Sequence, residues 1–301
     1  MYRTILLILA VFAPIAGCSQ SVDTNASKAV LVTGASTGIG RKVTERLSAD
    51  GYFVYAGARK DTDLEALKAI RNVQPIRLDV TKPEEIDAAL KAIQDAGRGL
   101  YGVVNNAGVV AVGSVVDTKW EEFELVLDVN IRGPYRVTRA FAPLVIAQKG
   151  RIVNIGSTSG ILAGSGVSAY TMSKHALEAF TDALAQEMVR FGVAVSIVEP
   201  GNYASEIWKT EGARTGTQVP KWVGNFKQPD EVAAAVEQAL FEPHPKRRYL
   251  VVPDQKEADA VIRKQIEQLV QLNEGQPYTY DREALIQMLD SALAKSRSKS
   301  Q

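Results

Sequence analysis

The chain is poor in the residues that build disulfides and metal centres: among 301 residues it holds one cysteine, Cys18, and two histidines, His175 and His244. One cysteine excludes an intrachain disulfide, and so few histidines leave no cluster with zinc-ligand spacing, so the expected chemistry runs without a protein-bound metal. Charge of one sign is missing too. Thirty-five basic residues against thirty-four acidic ones leave a formal charge of +1. Such a balance gives no field to gather nucleic acid or an acidic surface, and it suits a small neutral substrate better. Long apolar runs are lacking as well: the stretch from Ile5 to Ile15, broken by Pro14, is too short to span a bilayer comfortably.

That stretch reads instead as a processing segment, with Arg3 as its positive start and Ala16-Gly17 before Cys18. Ile15-Ala16-Gly17-Cys18 resembles the lipobox of bacterial lipoproteins, in which the cysteine is lipidated and becomes the new N-terminus. Residues 1–18 are therefore expected to be a signal peptide and 19–27 a tether, with the mature chain attached to a cell-envelope membrane through Cys18. A cytoplasmic location is the alternative.

What is present is a hydrophobic content of 46%, enough for one substantial core. From Lys28 onward, short β-branched runs alternate with helical periodicity. The strand-like runs are 29–33, 53–56, 75–78, 102–104, 152–155 and 193–198, with 249–252 as a last one. Regular β-α alternation implies a parallel sheet covered on both faces. The expected fold is α/β, a Rossmann-like doubly wound parallel sheet of about seven strands, with ligands at the C-terminal strand ends. The catalytic domain is expected over 28–254. Within it, 202–228 forms a substrate loop whose Tyr203, Trp208, Trp222 and Phe226 either line a pocket or pack the loop onto the core. Residues 255–301 read as a helical extension, with helices over 258–272 and 282–295.

The segment Val30 to Thr33 runs into Gly34-Ala35-Ser36-Thr37-Gly38-Ile39-Gly40 and then a helix-forming run. Glycines let the backbone approach a pyrophosphate, and the helix's unpaired N–H groups and positive end face the anion. Downstream stand Asn105-Asn106-Ala107-Gly108, Asn130, Ser157, Tyr170 with Lys174 four residues on, and Pro200-Gly201. Spaced four apart on a helix, Tyr170 and Lys174 share one face, where a lysine cation is expected to lower the tyrosine's titration.

The spacing Gly-x-x-x-Gly-x-Gly, followed by these motifs in this order, resembles the short-chain dehydrogenase/reductase family over roughly Lys28 to Val252. The resemblance implies an oxidoreductase that interconverts a carbonyl and an alcohol. In it Tyr170 is the general acid/base, Ser157 hydrogen-bonds the substrate oxygen, Lys174 also holds the nicotinamide ribose, and Asn130 maintains a water-linked proton route. It also implies a nucleotide held by Gly34, Ser36, Thr37, Gly38, Ile39 and Gly40, with Asp79 and Val80 at the adenine and Asn106, Ala107 and Gly108 beside its ribose. Pro200, Gly201 and Ser205 fall at the nicotinamide end, Ser205 where relatives carry a threonine. Asp79 could equally cap the helix that follows it.

At the end of the second strand the chain has Ala58-Arg59-Lys60, with no carboxylate to bind the ribose 2′-hydroxyl of NAD. Arginine's planar fork suits a 2′-phosphate, so NADP(H) is expected, with NAD(H) as the other option; a solvated surface charge is the other reading of Arg59. Thr37 departs from the basic residue many NADP-preferring relatives carry there, a gap that Arg41 could fill. The substrate is expected to be a small apolar alcohol, ketone or aldehyde. Many relatives form homo-oligomers through the helices bearing Asn130 and Tyr170, and one is expected here. Two other readings are a noncatalytic NADP-binding sensor or assembly protein and, more remotely, a serine hydrolase built on Gly-x-Ser-x-Gly at Ser36.

Overall fold

The computed structural model describes residues 28–219 and 221–298. The expected signal peptide, Cys18 and the tether lie outside the described residues. Among those described, no helix is long and apolar enough to cross a membrane.

Among the described residues, seven strands alternate with helices from Lys28 onward. They are β1 (Ala29–Val32), β2 (Phe53–Ala58), β3 (Val73–Arg77), β4 (Gly102–Asn105), β5 (Arg151–Ile155), β6 (Ala194–Pro200) and β7 (Arg248–Val251). They form one parallel sheet in the order β3-β2-β1-β4-β5-β6-β7. The order reverses between β1 and β4, where Leu31 pairs with Tyr55 on one side and Val103 on the other. Pro75 is tolerated in β3 because that strand is an edge.

The helices are α1 (Gly38–Ala49), α2 (Asp61–Lys68), α3 (Pro83–Asp95), α4 (Trp120–Leu127), α5 (Gly133–Ala147), α6 (Ser168–Met188), α7 (Ile207–Thr215), α8 (Asp230–Phe241), α9 (Gln255–Asn273) and α10 (Arg282–Ser298). Alternate residues of β1 feed two cores. Val30 and Val32 pack with Val43 and Leu47 of α1 and Val236 and Leu240 of α8, whereas Leu31 packs with Ile86 and Ile93 of α3 and Val137 and Phe141 of α5. Burial on both faces explains why these strands read as continuous apolar runs rather than alternating ones. In α3 the spacing of Ile86, Ala89 and Ile93 puts the apolar side chains on one stripe, and Pro83 with Glu84 and Glu85 starts the helix favourably.

Segment 202–228, expected as a substrate loop, contains α7 and a 3-10 turn over Lys221–Asn225. Helix α7 lacks an apolar stripe and carries Gly212; its one buried residue is Glu211, so periodicity does not announce it. Beyond the sheet, Asp254 caps α9 by accepting the Glu257 N–H at 2.9 Å.

Candidate active site

At the C-terminal ends of the strands lies a cleft of about 480 Å³. Every nucleotide-contact residue expected from the sequence lines it, from Gly34, Ser36, Thr37, Gly38, Ile39 and Gly40 at one end to Pro200, Gly201 and Ser205 at the other. Arg59, Asp79, Val80, Asn106, Ala107 and Gly108 line it too, as do Ser157, Tyr170 and Lys174. Asn130 does not; it stands behind the wall, 2% exposed.

The glycine turn is held by its neighbours more than by its own bonds. Gly34 has φ +64° and Gly38 φ +54°, conformations that favour glycine. A Cβ at Gly34 would come within 2.9 Å of Ala107 Cα, and one at Gly40 would collide with the Gly34 carbonyl oxygen and the Asn106 amide. Asn106 Nδ2 donates to the carbonyl oxygens of Thr33 and Gly34 at 2.9 and 3.0 Å, locking the turn. Thr33 Oγ1 accepts the backbone N–H groups of Asn106 and Ala107, both at 3.0 Å. Thr33 was not legible as a site residue, since its signal is a hydroxyl at a strand end that anchors a loop 73 positions away. The N-cap residue of α1, Thr37, makes no side-chain cap bond, so its first turn presents N–H groups toward the cleft. A glycine cradle at an open helix N-terminus fits a dinucleotide pyrophosphate.

Arg59 lies at the far side of that cradle with its side chain 54% exposed, 3.9 Å from Asp79 Oδ2. Asp79 does not cap α3, whose N-cap is Lys82; it instead accepts from the Thr81 N–H at 2.9 Å and the Thr81 hydroxyl at 2.7 Å. Arg41 pairs with Glu45 at 2.6 Å and does not line the cleft. Ser205 packs against Gly38, within 3.3 Å of where a Cβ would stand there.

On the opposite wall Tyr170 and Lys174 rise from the first two turns of α6, and Ser157 caps the 3-10 turn Thr158–Gly160 by accepting the Ser159 N–H at 3.1 Å. Burial pushes the Tyr170 phenol above its usual titration, and its hydrogen bond with Ser157 opposes that push. The expected help from Lys174 is absent in this arrangement. Its Nζ donates to the Ile155 carbonyl oxygen at 2.8 Å and stands 5.6 Å from the Tyr170 ring centroid, while burial lowers the ammonium's own titration to about 8.

Asn130 sits in a π-helical turn, Asp128–Arg132, rather than in a regular helix. Its amide is committed: Oδ1 accepts the Val109 N–H at 2.9 Å, and Nδ2 donates to the Val109 carbonyl at 2.9 Å and to Ser173 Oγ at 3.0 Å. Ser173 in turn donates to the Tyr170 carbonyl oxygen at 2.7 Å. The side chain therefore holds the Val109 loop and α6 in place, a positioning role. A second buried relay runs from Thr138 through Asn105 and Asn154 to Thr181, in bonds of 2.8 to 3.0 Å.

Of the aromatic residues expected at the pocket, Tyr203, Trp208 and Phe226 line the cleft, and Tyr203 also packs into the core. The side chain of Trp222 lies outside the described residues. Sequence reasoning missed Arg214 of α7, which reaches across the cleft to Glu122 of α4 at 2.7 Å and donates to the Val110 carbonyl at 2.7 Å. It also missed Glu257 of α9, which accepts from the Asn202 backbone N–H at 3.0 Å and its side-chain amide at 2.7 Å. Ser36 lies on the glycine turn, whereas His175 Nδ1 lies 3.0 Å from the Thr171 carbonyl oxygen on α6.

Comparison with known proteins agrees with this geometry. Residues 28–216 match the family described as short chain dehydrogenase. The mitochondrial D-beta-hydroxybutyrate dehydrogenase of Bos taurus is 41% identical over 213 residues, 66% of this chain and 62% of the relative's length. Among solved structures, a short-chain dehydrogenase from Streptomyces avermitilis superposes with a TM-score of 0.71 at 30% identity, over 82% of this chain and 95% of the other. A variant of actinorhodin polyketide ketoreductase with NADPH gives 0.68 at 28% identity, over 76% and 96%. With the glycine cradle, the tyrosine-lysine pair and the serine turn arranged about one cleft, the chain belongs to the short-chain dehydrogenase family.

Proposed function

We propose that this protein is an NADP(H)-dependent oxidoreductase that interconverts a carbonyl and an alcohol on a small, neutral, apolar molecule. The observation that carries the reading is the convergence of the Ser157, Tyr170 and Lys174 side chains on one cleft that begins in a glycine cradle. NADP(H), when bound, supplies or takes up the hydride. Tyr170 exchanges a proton between its hydroxyl and the substrate oxygen, and Ser157 donates a hydrogen bond to that same oxygen. Burial keeps the Tyr170 phenol protonated, ready to protonate a carbonyl that is being reduced. Lys174 provides a cation at the same wall.

Arg59 and Lys60 at the end of β2 support the phosphorylated nucleotide, because a planar guanidinium beside an ammonium suits a 2′-phosphate. Val110, Ile207, Trp208 and Phe226 around the outer cleft support an apolar substrate. The charge of Arg214 there is taken up by Glu122, which favours a neutral group over a carboxylate. A homo-oligomer packed through α5 and α6 completes this reading, supported by the exposed Tyr135 and Met172 on those helices.

The deciding experiment follows NADPH and NADH oxidation with a panel of apolar aldehydes and ketones, for the wild type and Tyr170→Phe. NADPH-preferring turnover that Tyr170→Phe lowers by about 10²- to 10⁴-fold, with nucleotide binding retained, is the expected result. Failure to bind either nucleotide would sink the reading.

A further inference from the structure

A buried carboxyl pair lies behind the catalytic wall, and nothing described so far uses it. Tyr170, Lys174, Glu178 and Asp182 follow at four-residue spacing along α6 and so share one face of that helix. The Glu178 carboxyl enters the bend between β5 and α6. A Cβ added at Gly156 would meet Glu178 Oε1 at 3.1 Å, and one added at Gly160 would meet it at 2.9 Å. Those two glycines bracket the turn that carries Ser157. From the sheet side comes Glu199 of β6, 2% exposed, which faces the same Arg248 guanidinium as Glu178.

Two ionised carboxylates facing each other in a dry interior are both acceptors and repel. Glu178 Oε1 and Glu199 Oε1 are each buried without a protein donor. Arg248 of β7 does not resolve the conflict. Its Nη1 reaches Glu178 Oε2 at 2.9 Å but stays 3.9 Å from Glu199 Oε1, and its Nη2 is engaged with Asp182 at 2.6 Å. Arg247, the residue just before β7, adds only a contact of 3.9 Å to Asp182. The turn from Gly156 to Gly160 brings no charged group, and Lys174 is turned to Ile155. A single proton shared by the two carboxyl groups removes one negative charge and the repulsion with it. Burial and the facing carboxylate hold the Glu178 proton above the usual carboxylate range, and burial acts on Glu199 in the same direction.

We propose that Glu178 and Glu199 share one proton beneath the Ser157 turn, and that neutral Glu178 is a positioning residue, packing that turn against α6 and leaving the Lys174 cation on the Ile155 carbonyl at the cleft wall. This rests on the reductase reading above. When the shared proton leaves, a full carboxylate stands one helical turn from Lys174. It competes for the ammonium and adds a second negative charge under Ser157, and turnover falls.

The test uses the full chain, with Glu178→Gln, which keeps the shape and a donor toward Glu199 but cannot ionise, and with Glu199→Gln. Infrared difference spectra between about pH 6 and about pH 10 should show a protonated-carboxyl carbonyl band in the wild type, lost on the alkaline side and missing from Glu178→Gln. The wild-type kcat for NADPH-dependent reduction should decline over the same interval with KM for NADPH little moved. In Glu178→Gln the profile should separate from the wild type's, because only the Lys174 ammonium, titrating at about 8, is then left to lose charge in that interval. A purely structural role would leave the profile in place. No protonated-carboxyl band in the wild type, or a Glu178→Gln profile superimposed on the wild type's, overturns the proposal. If Glu178→Gln does not fold, Glu199→Gln decides: the band must disappear there, and its persistence refutes the sharing. The infrared arm needs no turnover, so it stands or falls separately from the reductase reading, which Tyr170→Phe tests.

Discussion

Asn130 and Val109 form a closed two-bond clamp, the amide oxygen of one accepting the other's backbone N–H and the amide nitrogen donating to its carbonyl, both at 2.9 Å. The clamp fixes the loop after β4 against the π turn before α5, and through Ser173 it reaches the Tyr170 backbone. Replacing Asn130 with Ala leaves a buried N–H and C=O unpaired. A loss of about 2 to 4 kcal/mol in urea unfolding is expected, together with lower turnover. Ser157→Ala should lose turnover without a comparable loss of stability. Equal stability losses in the two variants would contradict the positioning role of Asn130.

Gly40→Ala brings a methyl group into the Gly34 carbonyl and the Asn106 amide. The cradle has to open, at a cost of about 1 to 3 kcal/mol by analogy with overpacked cores. Fluorescence titration should show weaker binding of both nucleotides, and a lowered melting temperature should accompany it.

Arg59 is exposed and only loosely tied to Asp79, so its removal costs the fold little. Arg59→Ala should raise KM for NADPH about tenfold, equivalent to about 1.4 kcal/mol, and leave KM for NADH nearly unchanged. Parallel changes for the two nucleotides would remove Arg59 from 2′-phosphate recognition.

Lys174 titrates at about 8 in the folded chain against the ordinary 10.5. Because the folded value is depressed, the native state bears the full cost of a buried cation below about pH 8 and sheds it as pH rises toward about 10.5. Across that interval the wild type should gain about 3 kcal/mol relative to Lys174→Met, read from urea unfolding at several pH values. Stability curves that stay parallel would show that the ammonium is not buried in solution.

Arg214→Ala separates substrate from nucleotide. Its bonds to Glu122 and Val110 tie α7 to the opposite lip of the cleft. Without them α7 is held less firmly, and KM for the carbonyl substrate should rise several-fold to about tenfold while nucleotide affinity stays put. A change confined to nucleotide binding would exclude α7 from the substrate side.

Residue order and local pattern alone determined the alternating strands and helices, the glycine turn and the Tyr170-Lys174 face. Each of these is set by near neighbours: β-branched runs for strands buried on both faces, Gly34 and Gly38 for positive φ, and a four-residue step for one helix face. The helix α7 was not legible, because Ile207–Thr215 buries a glutamate rather than an apolar stripe. Only the tertiary structure decided the rest. Thr33 anchors a loop 73 residues away, Glu257 of the C-terminal extension holds Asn202 beside the cleft, and Glu178 meets Glu199 across α6 and β6. It also turned Lys174 toward Ile155 and set burial against the expected lowering of Tyr170. Long-range contacts and desolvation depend on which elements pack together, a property of the folded chain that no local spacing encodes.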